Sequence, residues 1–372
     1  MLPGYATTEG TGRYQQRLAG SFAPGHFREA DGVLLSSIGL GTYLGEADDR
    51  TDALYAAAVR RAVECGVNVL DTAINYRHQR SERVIGQVLA TLQREAAVSR
   101  DEVVVATKGG YIAFDGDVPP DPRAYVYDTF IRTGLASPDE IVEWNCIAPR
   151  YLDDQVERSL RNLGLACVDV YYLHNPEAQL HKWSRAEFVR RVTEAFAVLE
   201  AKVAAGKIRR YGTATWNGYR QPETAREYLS LAELVAAAEQ AGGQGHHFKV
   251  VQFPYNLAMT EALTQRNQTG KRGGHERVSL LEAARDVGMT VMASATVMQG
   301  RLAHRLPAAV GEAFSELSSD AQRAIQFTRS TPGITTALVG MKTVAHVDHN
   351  LAVAKVPPAS FDQFRRLFRS RS

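Results

Sequence analysis

Eight short strand-like runs, each separated from the next by a stretch of helical periodicity, constrain this chain more than any other feature of its sequence. They are IGLG, NVLD, VVVATK, VDVYYLH, RRYGTA, KVVQF, TVMAS and TTALVG. Several are continuous β-branched runs, as expected of strands buried on both faces of a parallel sheet covered by helices. The segments between them carry helical spacing. ALYAAAVRRAVEC places Leu54, Ala58, Ala62 and Cys65 on one stripe before Gly66, and YLDDQVERSLRNL does the same with Leu152, Val156, Leu160 and Leu163. Strict alternation predicts an α/β fold, a closed (β/α)8 TIM barrel, rather than an open doubly wound sheet. The first strand–helix turn has no Gly-x-Gly-x-x-Gly, which removes the main support for a Rossmann domain.

The 372 residues fit one barrel domain over 31–372, preceded by a polar arm over 1–30 that is expected to lie extended on the body. GVLLSSIGLGTYLG reads as a short hairpin leading into the first strand. Two stretches break the alternation, at about 109–149 and 257–276, and both follow strands, so both should project from the face where barrel active sites sit. The aromatic residues of the first, Tyr111, Phe114, Tyr125, Tyr127, Phe130 and Trp144, either form a small core of their own or line a pocket.

Lysine and arginine total 43 against 41 for aspartate and glutamate, with no block of like charge, which argues against nucleic-acid and membrane partners. Cys65, Cys146 and Cys167 have no Cys-x-x-Cys spacing, as expected of reduced thiols in a cytoplasmic protein. The first twenty residues lack the charged start and apolar core of a secretory signal. Nothing in the sequence sets an oligomeric state.

Polar residues terminate several strands: Asp71 the second, Lys108 the third, His174 the fourth, with Gln252 near the end of the sixth. Each alone has a bland reading, as a turn residue, a surface lysine or a satisfied histidine. Together they would ring one barrel mouth, with Tyr76 five positions after Asp71. Such a set supports carbonyl chemistry. A lysine beside a phenol favours the phenolate, a carboxylate keeps the lysine charged, and a histidine hydrogen-bonds a substrate carbonyl. A lysine closing a barrel strand also suits a Schiff-base aldolase, and a cofactor-binding regulatory barrel is a third possibility.

At these residues the sequence resembles the aldo-keto reductase superfamily. The matching segments are LDTAINY, ATKGG, YLDDQVERSLRNLGLACVDVYYLHNPE, VVQFPYNL and LVGMKTVAHVDHNLAVA, in family order. The resemblance implies an NADP-dependent oxidoreductase acting on a small-molecule carbonyl substrate, with catalytic Asp71, Tyr76, Lys108 and His174 and with Tyr76 as proton donor. It also implies a nicotinamide site formed by Gly41, Thr42, Tyr43, Asn175, Thr215 and Gln252, the last on the carboxamide. Ser294 stands where the family often has a stacking tyrosine, which makes Trp216 a candidate replacement. Gln299, Gly300 and Leu302 would wrap a pyrophosphate through backbone N–H groups. Gly340, Lys342, His346 and Asn350 would hold the adenosine phosphate, with Lys342 favouring NADPH over NADH. No metal is implied.

Overall fold

The computed structural model describes residues 1–270 and 276–368. Residues 271–275 of the second expected insertion and 369–372 at the end of the expected barrel domain lie outside the described residues. The eight predicted strands are all present. They are β3 (Ile38–Gly41), β4 (Val69–Asp71), β5 (Val104–Gly109), β6 (Val168–His174), β7 (Ile208–Ala214), β8 (Phe248–Pro254), β11 (Thr290–Ser294) and β12 (Thr336–Gly340). Every neighbouring pair is parallel, and β12 pairs with β3 to close the barrel.

Helices α2 (Asp49–Glu64), α3 (Arg80–Arg94), α5 (Pro149–Leu163), α6 (Arg185–Ala204), α7 (Leu231–Gly242), α9 (Leu280–Asp286), α11 (Asp320–Ser330) and α12 (Val344–Leu351) surround it. Their ends follow local chemistry. Asp48 caps α2 by accepting from the Thr51 N–H, Pro149 opens α5, and Gly164 closes α5 with a left-handed φ of 62°. Leu152, Val156, Leu160 and Leu163 are all buried, each contributing about 1.5–3 kcal/mol by leaving water. On α2 the buried stripe is Tyr55, Ala58, Val59, Ala62 and Val63, one residue round from the expected one, so Leu54 sits at its edge.

The chain before the barrel is more structured than an extended arm. Thr8–Arg17 forms α1, which buries Tyr14, and Phe27–Ala30 (β1) pairs with Val33–Ser36 (β2). Val33 and Leu35 of this hairpin pack with the inward residues Val69, Val104, Ala106, Val170, Val250 and Leu338, so the hairpin plugs the N-terminal end of the barrel. Both insertions carry short elements. The first holds α4 (Pro122–Val126), a wider turn over Tyr127–Ile131, and an apolar cluster of Ile112, Val126, Phe130, Ala136, Cys146, Ala148 and Tyr151. The second holds α8 (Glu261–Thr264) and a ribbon of β9 (Gln268–Thr269) with β10 (Arg277–Val278). Short helix α10 (Ala308–Ala313) precedes α11, and α13 (Phe361–Arg366) follows α12. Among the described residues no helix is long and apolar enough to cross a membrane.

Candidate active site

Side chains alternate along a strand, so one inward residue fixes the direction of those two and four positions on. Val69, Val104 and Ala106, Val170 and Tyr172, and Val250 point into the barrel. The next members of those inward rows are Asp71, Lys108, His174 and Gln252, at or beside the C-terminal ends of β4, β5, β6 and β8. Register sets their heights: Asp71 lies beside Gly41 and Ala106, His174 beside Ala214, and Ala214 beside Gln252. Polar residues thus cap apolar inward rows at the barrel mouth.

They meet there. Lys108 Nζ donates to Asp71 Oδ2 at 2.7 Å and to the Thr72 carbonyl at 2.8 Å, while Gln252 Nε2 donates to Asp71 Oδ1 at 2.7 Å. The lysine and aspartate side chains are 1% and 7% exposed. Tyr76 stands on the turn after β4, which is stitched to β5 by Thr72 N–H to Ala106 O (2.9 Å) and Ile74 N–H to Lys108 O (3.2 Å). That turn sets the Tyr76 ring with its centroid 4.9 Å from Lys108 Nζ, 5.8 Å from the His174 ring and 5.0 Å from the Tyr43 ring.

Protonation follows from burial. Burial first, and Asp71 second, raise the Tyr76 phenol well above its usual value, so in this state Lys108 does not produce the lowered phenol pKa that the sequence suggests. The lysine's charge is already engaged by Asp71. Burial draws the Lys108 ammonium below its usual range, opposed by that carboxylate. Burial and the neighbouring Lys108 hold His174 well below the usual imidazole value, so it is neutral near pH 7 and one ring nitrogen can accept. The arrangement is a protonated phenol beside a neutral imidazole, above a buried ammonium–carboxylate pair.

The remaining predicted positions divide. Thr42 gives both its N–H and its hydroxyl to the Asp71 carbonyl at 3.2 Å, tying β3 to β4, and Tyr43 is 56% exposed at the rim. Asn175 has a left-handed φ of 45° and donates from Nδ2 to the Tyr111 hydroxyl at 3.1 Å. Thr215 Oγ1 is buried without a protein partner. One amide hydrogen of Gln252 is committed to Asp71, which leaves its oxygen and its second amide hydrogen. Ser294 ends β11, and Trp216 is 43% exposed just beyond β7.

Gln299 and Gly300 are left-handed, but Gly300 and Leu302 donate to the Val297 carbonyl at 2.9 and 3.2 Å, so those two N–H groups reach a pyrophosphate only if the turn opens. Gly340 ends β12. Thr343 caps α12 by accepting from the His346 N–H, with Lys342 immediately before it and Asn350 buried on the last turn. His349 meets Ser319 Oγ at 2.7 Å. Among the described residues no group of three or more metal-ligating side chains is assembled.

Two contributors are not singled out by the sequence. Glu177 Oε1 accepts from the backbone N–H groups of Trp216, Asn217 and Gly218 at 2.8, 3.0 and 3.2 Å, fixing the chain beyond Thr215. Asn145, at the end of the first insertion, donates to the His174 carbonyl at 2.8 Å. Tyr111 packs edge-on to His174 at 5.1 Å, while Phe130 is fully buried in the insertion's own cluster, so the aromatic set serves both expected purposes. Glu177 lies in the quoted HNPE segment, whereas Asn145 carries no local signal at all.

The chain matches the family model for the aldo/keto reductase family over residues 37–369. It is 31% identical over 208 residues to the NADH-specific methylglyoxal reductase of Escherichia coli (strain K12), an alignment covering 54% of each protein. This chain therefore spans about half the length of that relative. It is 27% identical to methylglyoxal reductase YeaE of the same organism over 333 residues, 88% of each. An aldo/keto reductase from Klebsiella pneumoniae, solved with NADP and acetate, shares the fold with a TM-score of 0.60 at 22% identity, covering 93% of this chain and 94% of that one. The chain belongs to the aldo/keto reductase family.

Proposed function

We propose that the protein is an NADPH-dependent carbonyl reductase, reducing a small aldehyde or ketone to the alcohol or running in reverse. One observation carries this reading: the Lys108–Asp71–Gln252 network lies under the Tyr76 ring, with a neutral His174 beside it. The residues present suit a nicotinamide nucleotide, because the buried Thr215 hydroxyl lacks a protein partner one position beyond Ala214, which pairs with His174. Gly41, Thr42, Tyr43, Asn175, Thr215, Gln252 and Ser294 would hold its ring end. Gln299, Gly300, Leu302, Gly340, Lys342, His346 and Asn350 would hold its phosphates and adenosine, with Lys342 as the cation for an added phosphate.

When bound, NADPH supplies a hydride. The chain's own groups do the rest. His174 and Tyr76 converge on the substrate carbonyl oxygen, Tyr76 delivers its proton as negative charge develops there, and the Lys108 ammonium stabilises the resulting phenolate. Asp71 keeps that ammonium charged, and Gln252 keeps Asp71 oriented. A Schiff-base role for Lys108 is disfavoured, since its side chain is 1% exposed and bonded to both Asp71 and the Thr72 carbonyl.

Tyr76→Phe should lower kcat for reduction by roughly 10²–10⁴ with NADPH affinity retained. Because the phenol stays protonated and His174 stays neutral, native reduction should show no acid limb from an imidazole, and its alkaline limb should follow Lys108, whose ammonium burial draws below its usual range. Near-native turnover in Tyr76→Phe, measured by NADPH absorbance, would remove the proton-donor assignment. Failure of a range of reactive aldehydes to oxidise bound NADPH would favour a regulatory, non-catalytic barrel.

A further inference from the structure

Tyr76 is followed by three consecutive non-glycine residues in the left-handed region, Arg77 (φ 49°), His78 (φ 55°) and Gln79 (φ 72°). Side chains disfavour this region, and a run of three persists only where the surroundings over-determine it. Two of the three are held by the neighbouring insertion and helix. The His78 carbonyl accepts from the Gly116 N–H at 2.9 Å, and the Gln79 amide bridges the Phe114 carbonyl at 2.9 Å and Asn162 at 3.0 Å.

Arg77 is held in a different direction. Its side chain is 1% exposed, and its guanidinium lies over the Tyr55 ring at 5.4 Å. Nε donates to the Glu46 carbonyl at 2.8 Å, Nη2 donates to the Asp48 carbonyl at 3.3 Å, and Nη2 also pairs with Asp52. Asp52 is gripped from its other oxygen by Arg80 at 2.6 Å. Glu46 and Asp48 belong to the loop between β3 and α2, the same loop that carries Tyr43 against the Tyr76 ring. One guanidinium therefore ties together the two segments between which the phenol stands. A glycine at 77 would adopt this backbone without strain, yet it would have no such tie.

We propose that Arg77 is a positioning residue, locking the Tyr43 loop onto the Tyr76 turn and so fixing the phenol between Lys108 and His174. The proposal rests on the reductase reading, in which the phenol's placement matters.

The test uses the full chain with NADPH and 4-nitrobenzaldehyde, and in parallel the fluorine resonance of 3-fluorotyrosine placed at position 76. Arg77→Gly should fold, bind NADPH within about twofold of the native protein, and lose kcat by about tenfold or more. Added guanidinium ion should restore part of that loss, and the fluorine line should broaden or split. Asp52→Asn, which loosens the guanidinium without touching the backbone at 77, should move both readouts in the same direction by a smaller amount. Native kcat with an unchanged fluorine line in Arg77→Gly overturns the proposal; should that variant fail to fold, the same pair of results in Asp52→Asn overturns it. If the native protein reduces no carbonyl, the reductase reading fails, and the fluorine line alone then decides whether Arg77 holds Tyr76.

Discussion

Each end of the barrel buries an ion pair, and the two pairs are close to identical in length and exposure. At the mouth Lys108 and Asp71 meet at 2.7 Å; at the floor Arg100 and Asp169 meet at 2.6 Å. Their remaining partners differ. Asp169 accepts from the backbone N–H groups of Ala6 (2.6 Å) and Val105 (2.8 Å), and Arg100 donates to the carbonyls of Val103 (2.5 Å) and Cys167 (3.0 Å). Main-chain partners cannot be exchanged while the barrel stands. At the mouth one contact is to the main chain, from Lys108 Nζ to the Thr72 carbonyl, but the second oxygen of Asp71 is held by a side chain, Gln252, and Lys108 Nζ faces the ring of Tyr76. Side chains can take new partners when a ligand arrives. The exchangeability of the completing contacts, rather than the burial of charge, separates the mouth pair from the floor pair.

Lys108→Met should break the mouth pair most severely, lowering kcat of the folded protein by roughly 10³-fold, as measured by steady-state NADPH oxidation. Asp169→Ala should instead destabilise by roughly 3–5 kcal/mol in urea unfolding, because it leaves Arg100 buried and unpaired, while kcat per folded molecule is unchanged. A loss of kcat in folded Asp169→Ala would erase the contrast.

The floor should also carry a pH signature. Burial, with Arg329 and Arg28 nearby, pushes His26 down to about 4. The unfolded chain then takes up a proton below about pH 6.5 that the folded chain refuses until about 4, so stability is full above that window and falls by about 3 kcal/mol across it. His26→Gln should flatten that part of the stability–pH curve, and an unchanged slope would locate the dependence elsewhere. The smallest effect is expected at Thr215→Val. Removing the buried hydroxyl should weaken NADPH binding by about 1 kcal/mol in a fluorescence titration with no cost to melting temperature, since that hydroxyl has no protein partner.

The strands were legible because β-branched runs buried on both faces look alike wherever they occur, and Asp71, Lys108 and His174 were legible because each closes such a run. Gln252 was readable as a mouth residue but not as a partner of Asp71, since their contact spans 181 positions of sequence. The Tyr76 phenol's direction of shift was inverted for a related reason: its burial and the prior engagement of Lys108 are properties of the assembled mouth. Arg77 escaped because left-handed backbone is usually signalled by glycine, and here it is enforced by a side chain gripping a distant loop. The helix at Thr8–Arg17 escaped because its polar composition hides the few residues, Tyr14 among them, that anchor it.

The first insertion has an apolar cluster of its own, reaching from Ile112 to Tyr151 at the start of α5, and it meets the mouth through a few bonds: Asn145 to the His174 carbonyl, Asn175 to the Tyr111 hydroxyl, and Gly116 and Phe114 to the turn after Tyr76. A segment organised in this way can be exchanged as a cassette. Grafting a different loop in place of 118–141, with Phe114, Gly116 and Asn145 retained so that the turn after Tyr76 keeps its supports, should change which molecules enter the mouth while leaving the proposed proton-transfer geometry beneath it intact.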